Sequence, residues 1–381
     1  MQSMKAPLLY LNHSRGWGGL EMFSLNLFKW LSNRDWPIYF SCEKASRLHQ
    51  ALQQTPYADR VFARKTIKYF DPISLPIITT LLKKKTIHLI HTFKSSDIFF
   101  SAAAASLAGA SKPLLVHHLQ MLPKHPRKDP LHRLAYGHLN KLLAITSQIA
   151  ERAKTLWPIN PAIVSTLYYG IDPTLYGKQL HDPAQQKARF GIPSSSRTLG
   201  IVGQVCEIKG QLLVLRAFKE LSKEFPDLFL VIAGAPAPGS ESYQKELEAY
   251  AAAHAIQDRV KFCGFVPEIP ELMACLDFFV LGSKAEPFGL VVLEAMASGA
   301  LVVASAAGGV PEIITHAEDG LLYEAQNLND LINTLKNALT LSAPKRQKII
   351  ENAYQTVCSR FSLSVFLERL ETIYREMLQH K

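Results

Sequence analysis

Short runs of apolar, β-branched residues alternate with amphipathic helical stretches along the whole chain, and this alternation constrains the fold more than any other feature. Strand and helix in repetition is the pattern of a parallel sheet wrapped by helices, an α/β architecture. Residues 7–11 read as a first strand and Gly16-Trp17-Gly18-Gly19 as a glycine-rich turn. A helix follows over 20–31, with Phe23, Leu27, Trp30 and Leu31 at helical spacing. Further strands are expected at 37–41, 87–91, 114–118, 141–145 and 163–167, closing a first domain at 1–172. The polar stretch 173–196, with Asp182-Pro183 and Pro193-Ser194-Ser195-Ser196, reads as a linker.

A second domain, 197–355, repeats the pattern. Its strands are expected at 199–203, 228–233, 260–262, 278–281 and 301–304, and its helices at 211–225, 241–253, 269–275 and 290–298. Gly299 stops the last of these helices, and Pro311 suits the first turn of another. From Asn329 the chain reads as helical, and 356–381 is expected to pack back on the first domain. Two such domains leave a cleft, and ligands of these folds sit beyond the carboxyl ends of the strands.

Composition bounds the chemistry. The chain has 381 residues, 48% hydrophobic and 19% charged, enough for two or three packed cores and unlike a disordered tail. No apolar run approaches the ~20 residues of a membrane-spanning helix, and the apolar stretch at the start is too short for a secretory signal. The five cysteines are scattered without a C-x-x-C pair, so neither a disulfide framework nor a zinc site is expected, and a cytoplasmic location is. The formal charge of +10, from 42 Lys and Arg against 32 Asp and Glu, favours an anionic partner. Two basic runs, Lys83-Lys84-Lys85 and Lys124-His125-Pro126-Arg127-Lys128, fall in the first half. The second lies near Met121-Leu122 and suits peripheral contact with an anionic membrane face, at about 1 kcal/mol per basic residue. With no aromatic platform or groove-reading helix beside the charge, nucleic acid is not an expected partner.

Two segments could carry chemistry. Gly203 to Gly210 joins a strand end to a helix start, where orphan amides and the helix dipole favour an anion and Lys209 adds a formal charge. Every parallel α/β unit has such a loop, so a solvated lysine beside a turn glycine is an equal reading. In Ser283 to Gly299, Glu286 follows a buried strand and Glu294 lies between Leu293 and Ala295 on an apolar helix. A carboxylate there must find a partner or line a cavity. Two carboxylates at a cleft suit the hydroxyls of a sugar or ribose, or an acid/base pair.

Glu286-Pro-Phe-Gly, Glu294-Ala-Met-Ala-Ser-Gly, Val302-Val-Ala-Ser and Gly308-Gly-Val-Pro-Glu312-Ile together resemble the signature of retaining glycosyltransferases of family four. The likeness extends to Gly264-Phe-Val, Gly320-Leu-Leu-Tyr323, Gly18-Gly-Leu-Glu21 and Gly170-Ile-Asp172. It implies the GT-B fold, two Rossmann-like domains whose parallel sheets face across a cleft. It also implies roles: Glu286 on the donor sugar's hydroxyls, and the backbone amides of Phe288, Gly289 and Leu290 on sugar or diphosphate. Glu294 would take the ribose, Lys209 the leaving diphosphate, Phe265 and Val266 the nucleobase, and Gly18 and Gly19 a close approach to the diphosphate. A histidine after a strand of the first domain contacts the donor sugar in such enzymes; His118, ending the expected strand 114–118, is the choice over His117. One departure stands out: Gln204 occupies the place, five residues before the lysine, where the family usually has arginine. Arg15 is a candidate substitute cation, and Trp17 suits either core or an acceptor pocket.

The resemblance therefore implies a metal-independent transferase with no cofactor, using a nucleotide-diphosphate sugar and a carbohydrate or lipid-linked acceptor, as in lipopolysaccharide or surface-polysaccharide synthesis. A nucleotide-sugar epimerase or phosphorylase of the same fold, and a non-catalytic nucleotide-sugar binder, remain alternatives.

Overall fold

A computed structural model describes residues 5–67, 71–109, 112–177 and 179–380. The chain divides into two units, 1–168 with 367–381, and 169–366.

The first unit runs β1 (Leu8–Asn12), α1 (Gly19–Ser32), β2 (Ile38–Glu43), α2 (Arg47–Gln53), β3 (Val61–Arg64), α3 (Ser74–Lys84) and β4 (Leu89–Thr92). It continues through α4 (Asp97–Leu107), β5 (Leu114–Leu119), α5 (Pro130–Tyr136), β6 (Lys141–Ala144), α6 (Ser147–Leu156) and β7 (Val164–Thr166). Its seven strands are parallel in the order β3-β2-β1-β4-β5-β6-β7. Leu8 to Leu11 are completely buried, as a strand covered on both faces requires. The inward stripe of α1 is Ser24, Leu27, Phe28 and Leu31; Trp30, expected on it, lies half-buried on its flank. Strand β3 was not expected from the sequence: it is an edge strand of four half-buried residues with no apolar alternation.

The second unit carries α7 (Pro183–Arg189), β8 (Arg197–Val202), α8 (Gln211–Leu221), β9 (Leu228–Ala233), α9 (Glu241–Ala253), β10 (Val260–Gly264) and α10 (Ile269–Ala274). There follow β11 (Phe278–Leu281), α11 (Leu290–Ala297), β12 (Leu301–Ser305), α12 (Val310–Ile313), β13 (Leu321–Tyr323), α13 (Leu328–Thr340), α14 (Ala343–Arg360) and α15 (Leu363–Gln379). The strands are again parallel, in the order β10-β9-β8-β11-β12-β13. Val214, Phe218 and Leu221 of α8 close one core with Leu199, Ile201, Leu230 and Val280 of the sheet. The stretch 173–196, expected as a linker, clusters with this unit, where α7 packs on α10 and Arg189 reaches Glu271 at 2.8 Å.

Each unit holds its own end of the connecting segments. Gly170 lies so near the Ser362 carbonyl that a Cβ would stand 2.4 Å from it, and Ile171 donates its amide to Phe361 at 3.0 Å. Helix α15 then continues into the first unit, where Tyr374 is completely buried, hydrogen-bonds the Tyr10 hydroxyl at 3.1 Å and stacks edge-on with Trp36.

In both sheets the chain starts at a central strand, winds outward to one side and returns to continue on the other. The neighbours at the reversal are β1 and β4 in the first unit and β8 and β11 in the second. Loops leaving such a pair diverge and open a crevice at the strand ends. In the second unit that divergence is held by glycine: Gly210 has φ +72°, and a Cβ on it would sit 2.0 Å from the Gly282 carbonyl oxygen. Gly210→Ala is expected to destabilise the second unit by about 1–3 kcal/mol, since both the backbone conformation and the contact forbid a side chain. Gly19→Ala, where a Cβ would meet nothing within 4 Å, should leave the melting temperature unchanged; calorimetry of the two variants checks both.

Candidate active site

The loops after β8 and β11 meet at the second unit's reversal. Besides the Gly210–Gly282 contact, the Lys284 amide donates to the Ile208 carbonyl at 2.8 Å. These backbone ties bring residues 77 apart in sequence together: the Lys209 Nζ lies 2.7 Å from Glu286 Oε2. Ser283 Oγ donates to the same oxygen at 3.1 Å. Glu286 is only 8% exposed, while the Lys209 side chain keeps 28%, so the pair is rooted in the interior and opens at one end. A buried carboxylate is tolerable here because it has an ammonium and a hydroxyl to receive hydrogen bonds from.

A third loop, after β12, fixes the backbone of Glu286. The Gly309 amide donates to the Glu286 carbonyl at 2.9 Å. Gly308, at φ +58°, would place a Cβ 2.0 Å from that same oxygen, so no side chain fits. The glycine pair quoted in the sequence signature thus holds the acidic loop in place.

Glu294 sits in the middle of α11, partly buried, and takes a hydrogen bond from the Tyr176 hydroxyl. Burial pushes its carboxyl above the usual range, and the tyrosine bond works in the opposite direction. Tyr176 belongs to the stretch expected as a linker, and nothing in its spacing marks it. Ser283 and Gly282 were likewise not singled out, although both adjoin the buried strand from which Glu286 was placed.

The other expected residues divide clearly. Phe288 is a core side chain, edge-on to Tyr169 and Phe361 at 5.6 and 6.1 Å, so only its backbone is available to a ligand. Gly289, at φ +109°, caps α11, and Leu290 is 40% exposed. Phe265 follows the edge strand β10 with 75% of its surface open, whereas Val266 is buried. Gln204 is exposed, and its carbonyl accepts a hydrogen bond from Gln211 Nε2 at 2.9 Å. In the first unit, Gly18 and Gly19 open α1, where a Cβ on Gly18 would meet only Glu21 Oε2 at 3.7 Å. The chain's own packing therefore does not explain glycine at either position.

His118 is where expectation and structure part. It has no exposed surface, stacks on His91 at 5.5 Å and meets Phe23 edge-on at 4.8 Å. Burial, followed by the neighbouring His117, lowers its pKa to about 3. The strand runs to Leu119, and helices cover both faces of the sheet, so His117 and His118 are both interior. The ring therefore packs in the interior of the first unit. In the basic run at 124–128, Lys124, His125, Pro126 and Lys128 are exposed, whereas Arg127 is half-buried, bonds the Tyr136 hydroxyl and lies 5.0 Å above the Trp157 ring. Among the described residues no group of three or more His, Cys, Asp or Glu is placed to hold a metal ion, and no helix is long and apolar enough to cross a membrane.

Known proteins decide the family. The model for "Glycosyltransferase Family 4" matches residues 17–175, and that for "Glycosyl transferases group 1" matches 182–356. The chain belongs to the family-four, group 1 glycosyltransferases. Among its relatives is the N-acetyl-alpha-D-glucosaminyl L-malate synthase of Bacillus anthracis, 24% identical over 95% of both chains. The UDP-Gal:alpha-D-GlcNAc-diphosphoundecaprenol alpha-1,3-galactosyltransferase of Escherichia coli is 23% identical, again over 95% of both. Anabaena HepE, solved in complex with UDP, superposes with a TM-score of 0.82 over 97% of this chain and 99% of its own, at 22% identity. That likeness establishes the two-domain GT-B fold.

The raised Glu294 carboxyl makes a pH prediction. The folded state holds this proton to a higher pH than the unfolded chain does, so between the two pKa values stability falls as pH rises. Glu294→Gln, which keeps an acceptor for Tyr176, is expected to remove that loss. Melting curves from pH 4 to 8 should converge with wild type at the acid end and lie above it at neutral pH.

Proposed function

We propose that this glycosyltransferase moves a sugar from a nucleotide-diphosphate donor to a hydroxyl of a glycan acceptor, with retention at the anomeric carbon. The Lys209–Glu286 pair at the β8/β11 reversal carries the reading, because it puts one cation and one hydroxyl-accepting carboxylate where ligands of such sheets bind. In this reading the donor diphosphate draws the Lys209 ammonium, and Glu286 turns its freed oxygens to the sugar hydroxyls. Glu294 takes the ribose hydroxyls, and the exposed ring of Phe265 borders the base. The bare backbone at Gly18 and Gly19 supports their expected role toward the diphosphate.

The bond from the anomeric carbon to phosphate breaks while the acceptor oxygen bonds the same carbon from the same face. The acceptor's proton passes to the departing phosphate oxygen, so no protein base is needed for that transfer. Charge grows on the leaving diphosphate, and Lys209 with the loop amides stabilises it, the work that preorganised donors do most effectively. No metal enters these steps. A cytoplasmic enzyme acting on lipopolysaccharide-type or related surface glycans fits both the relatives and the basic charge.

Lys209→Met is expected to lower kcat by about 10²–10³-fold, the cost of removing one such electrostatic group. Because that change strands a buried carboxylate, Lys209→Met/Glu286→Gln is the paired variant: it should keep the wild-type melting temperature yet remain inactive. Release of free nucleotide from UDP-, GDP- and ADP-sugars, with and without acceptor glycans, measures turnover. Full activity of Glu286→Ala, or no thermal stabilisation by any of the three donors, would defeat the assignment. Gln204→Arg should tighten donor binding by adding a second cation beside Lys209; unchanged affinity places Gln204 outside the site.

A further inference from the structure

The first unit has a reversal of its own, and one residue there is fastened from every side. Strands β2, β1 and β4 end side by side, and His13 is the first residue beyond β1. Its amide donates to Asp97 Oδ2 at 3.0 Å, and its carbonyl accepts from Lys94 Nζ at 3.0 Å. Its ring Nδ1 lies 3.4 Å from Asp97 Oδ1, and Nε2 lies 3.0 Å from Ser41 Oγ. All four polar atoms of His13 are thus engaged, by side chains from β2, from the loop after β4 and from the first residue of α4. Acidic residues that open a helix ordinarily serve its own amides and dipole. Asp97 instead turns one oxygen to the main chain of His13 and the other to its ring.

Burial gives these contacts weight. Asn12 and Ser41 have no exposed surface, and His13 and Asp97 keep only 5 and 4%. Phe100 closes over the imidazole edge-on at 5.8 Å. In such surroundings water competes little for the partners, and a stranded one is costly.

The chain changes character immediately afterwards. Arg15, Gly16, Trp17 and Gly19 are exposed. The ties among them lie at the surface: Ser14 Oγ accepts the Gly16 amide at 3.2 Å, and Arg15 reaches Glu43 at 3.2 Å with most of its side chain in solvent. Gly18 then accepts the Met22 amide at 3.0 Å as α1 begins, and α1 is rooted in the core by Leu27, Phe28 and Leu31. A short exposed loop stands where its two anchored ends put it, and the near end here is His13.

We propose that Asp97 and His13 are positioning residues that set where the glycine loop 14–19 stands. The consequence for turnover rests on the transferase reading, in which this loop brings Gly18 and Gly19 to the donor diphosphate. Neither Asp97 nor His13 need meet a ligand for this, because a loop shifted by about 1 Å loses on the order of 10²-fold in rate.

The test compares Asp97→Ala with Asp97→Asn in the full-length protein. Both remove the charge, but asparagine keeps an acceptor for the His13 amide. Asp97→Ala is expected to lower kcat/KM for the nucleotide sugar by about 10–100-fold. It should also speed amide exchange across 14–19 by at least about tenfold. Asp97→Asn should restore both to near the wild-type values. Leu142→Ala, in the core strand β6, should lower the melting temperature and leave both readouts unchanged. Ser41→Ala, a deletion of one oxygen, reads the same loop through faster exchange should Asp97→Ala not fold. Wild-type exchange across 14–19 in Asp97→Ala, or in Ser41→Ala where that variant stands in for it, overturns the proposal whatever the activity. Equal losses in the alanine and asparagine variants overturn it too, since charge and not grip would then matter, as does a matching loss of turnover in Leu142→Ala. A wild-type protein that turns over no nucleotide sugar, with the loop loosened in Asp97→Ala and restored in Asp97→Asn, counts against the transferase reading alone.

Discussion

The second unit depends on a backbone-to-backbone contact between Gly210 and Gly282. Two neighbouring strands, β8 and β11, send their loops apart, and the glycines let those loops touch before they diverge. With even one methyl group between them, Lys209 and Glu286 could not keep a 2.7 Å ion pair without a shift of the loops. The Gly308–Gly309 loop performs the same service from the other side, so the acidic residue is clamped by main chain on two flanks. Preorganisation here comes from absent side chains as much as from present ones.

That arrangement explains the electrostatics. A carboxylate as buried as Glu286 needs its ammonium, and a ligand that draws the ammonium must return hydrogen bonds to the carboxylate. A diphosphate sugar does both at once, with anionic oxygens for Lys209 and hydroxyls for Glu286. An inorganic anion does only the first. In the proposed function the pair suits ligands that combine the two groups, and Gln204, neutral where the family resemblance implies an arginine, leaves the diphosphate to a single lysine.

Much of this was legible in the sequence, for reasons that can be located. The loops holding Lys209 and Glu286 could be placed because each follows a buried apolar run, and Glu294 because a charged residue interrupts an apolar helix. The contact between the first two was not legible, since it depends on strand order, which no periodicity records. Edge strands β3 and β13 escaped because three or four residues carry too little pattern. Tyr176 was hidden in a stretch whose prolines and polar residues resemble a linker, yet which folds onto the second unit. The burial of His118 was hidden for a different reason: in a strand covered on both faces, alternation does not distinguish a residue facing a site from one facing the core.

The two units show how little of this chemistry belongs to the fold. Both sheets wind in the same order and open a crevice at the same reversal. In the second, cation and carboxylate are paired with each other, so the site is neutral until a ligand separates them. In the first, the carboxylates are bound to backbone amides while Arg15 and Lys65 stay exposed. One scaffold thus presents a lysine paired with a buried carboxylate at one reversal, and at the other buried carboxylates held by backbone amides, with Arg15 on Glu43 at 3.2 Å. The difference lies in the few residues that follow each central strand.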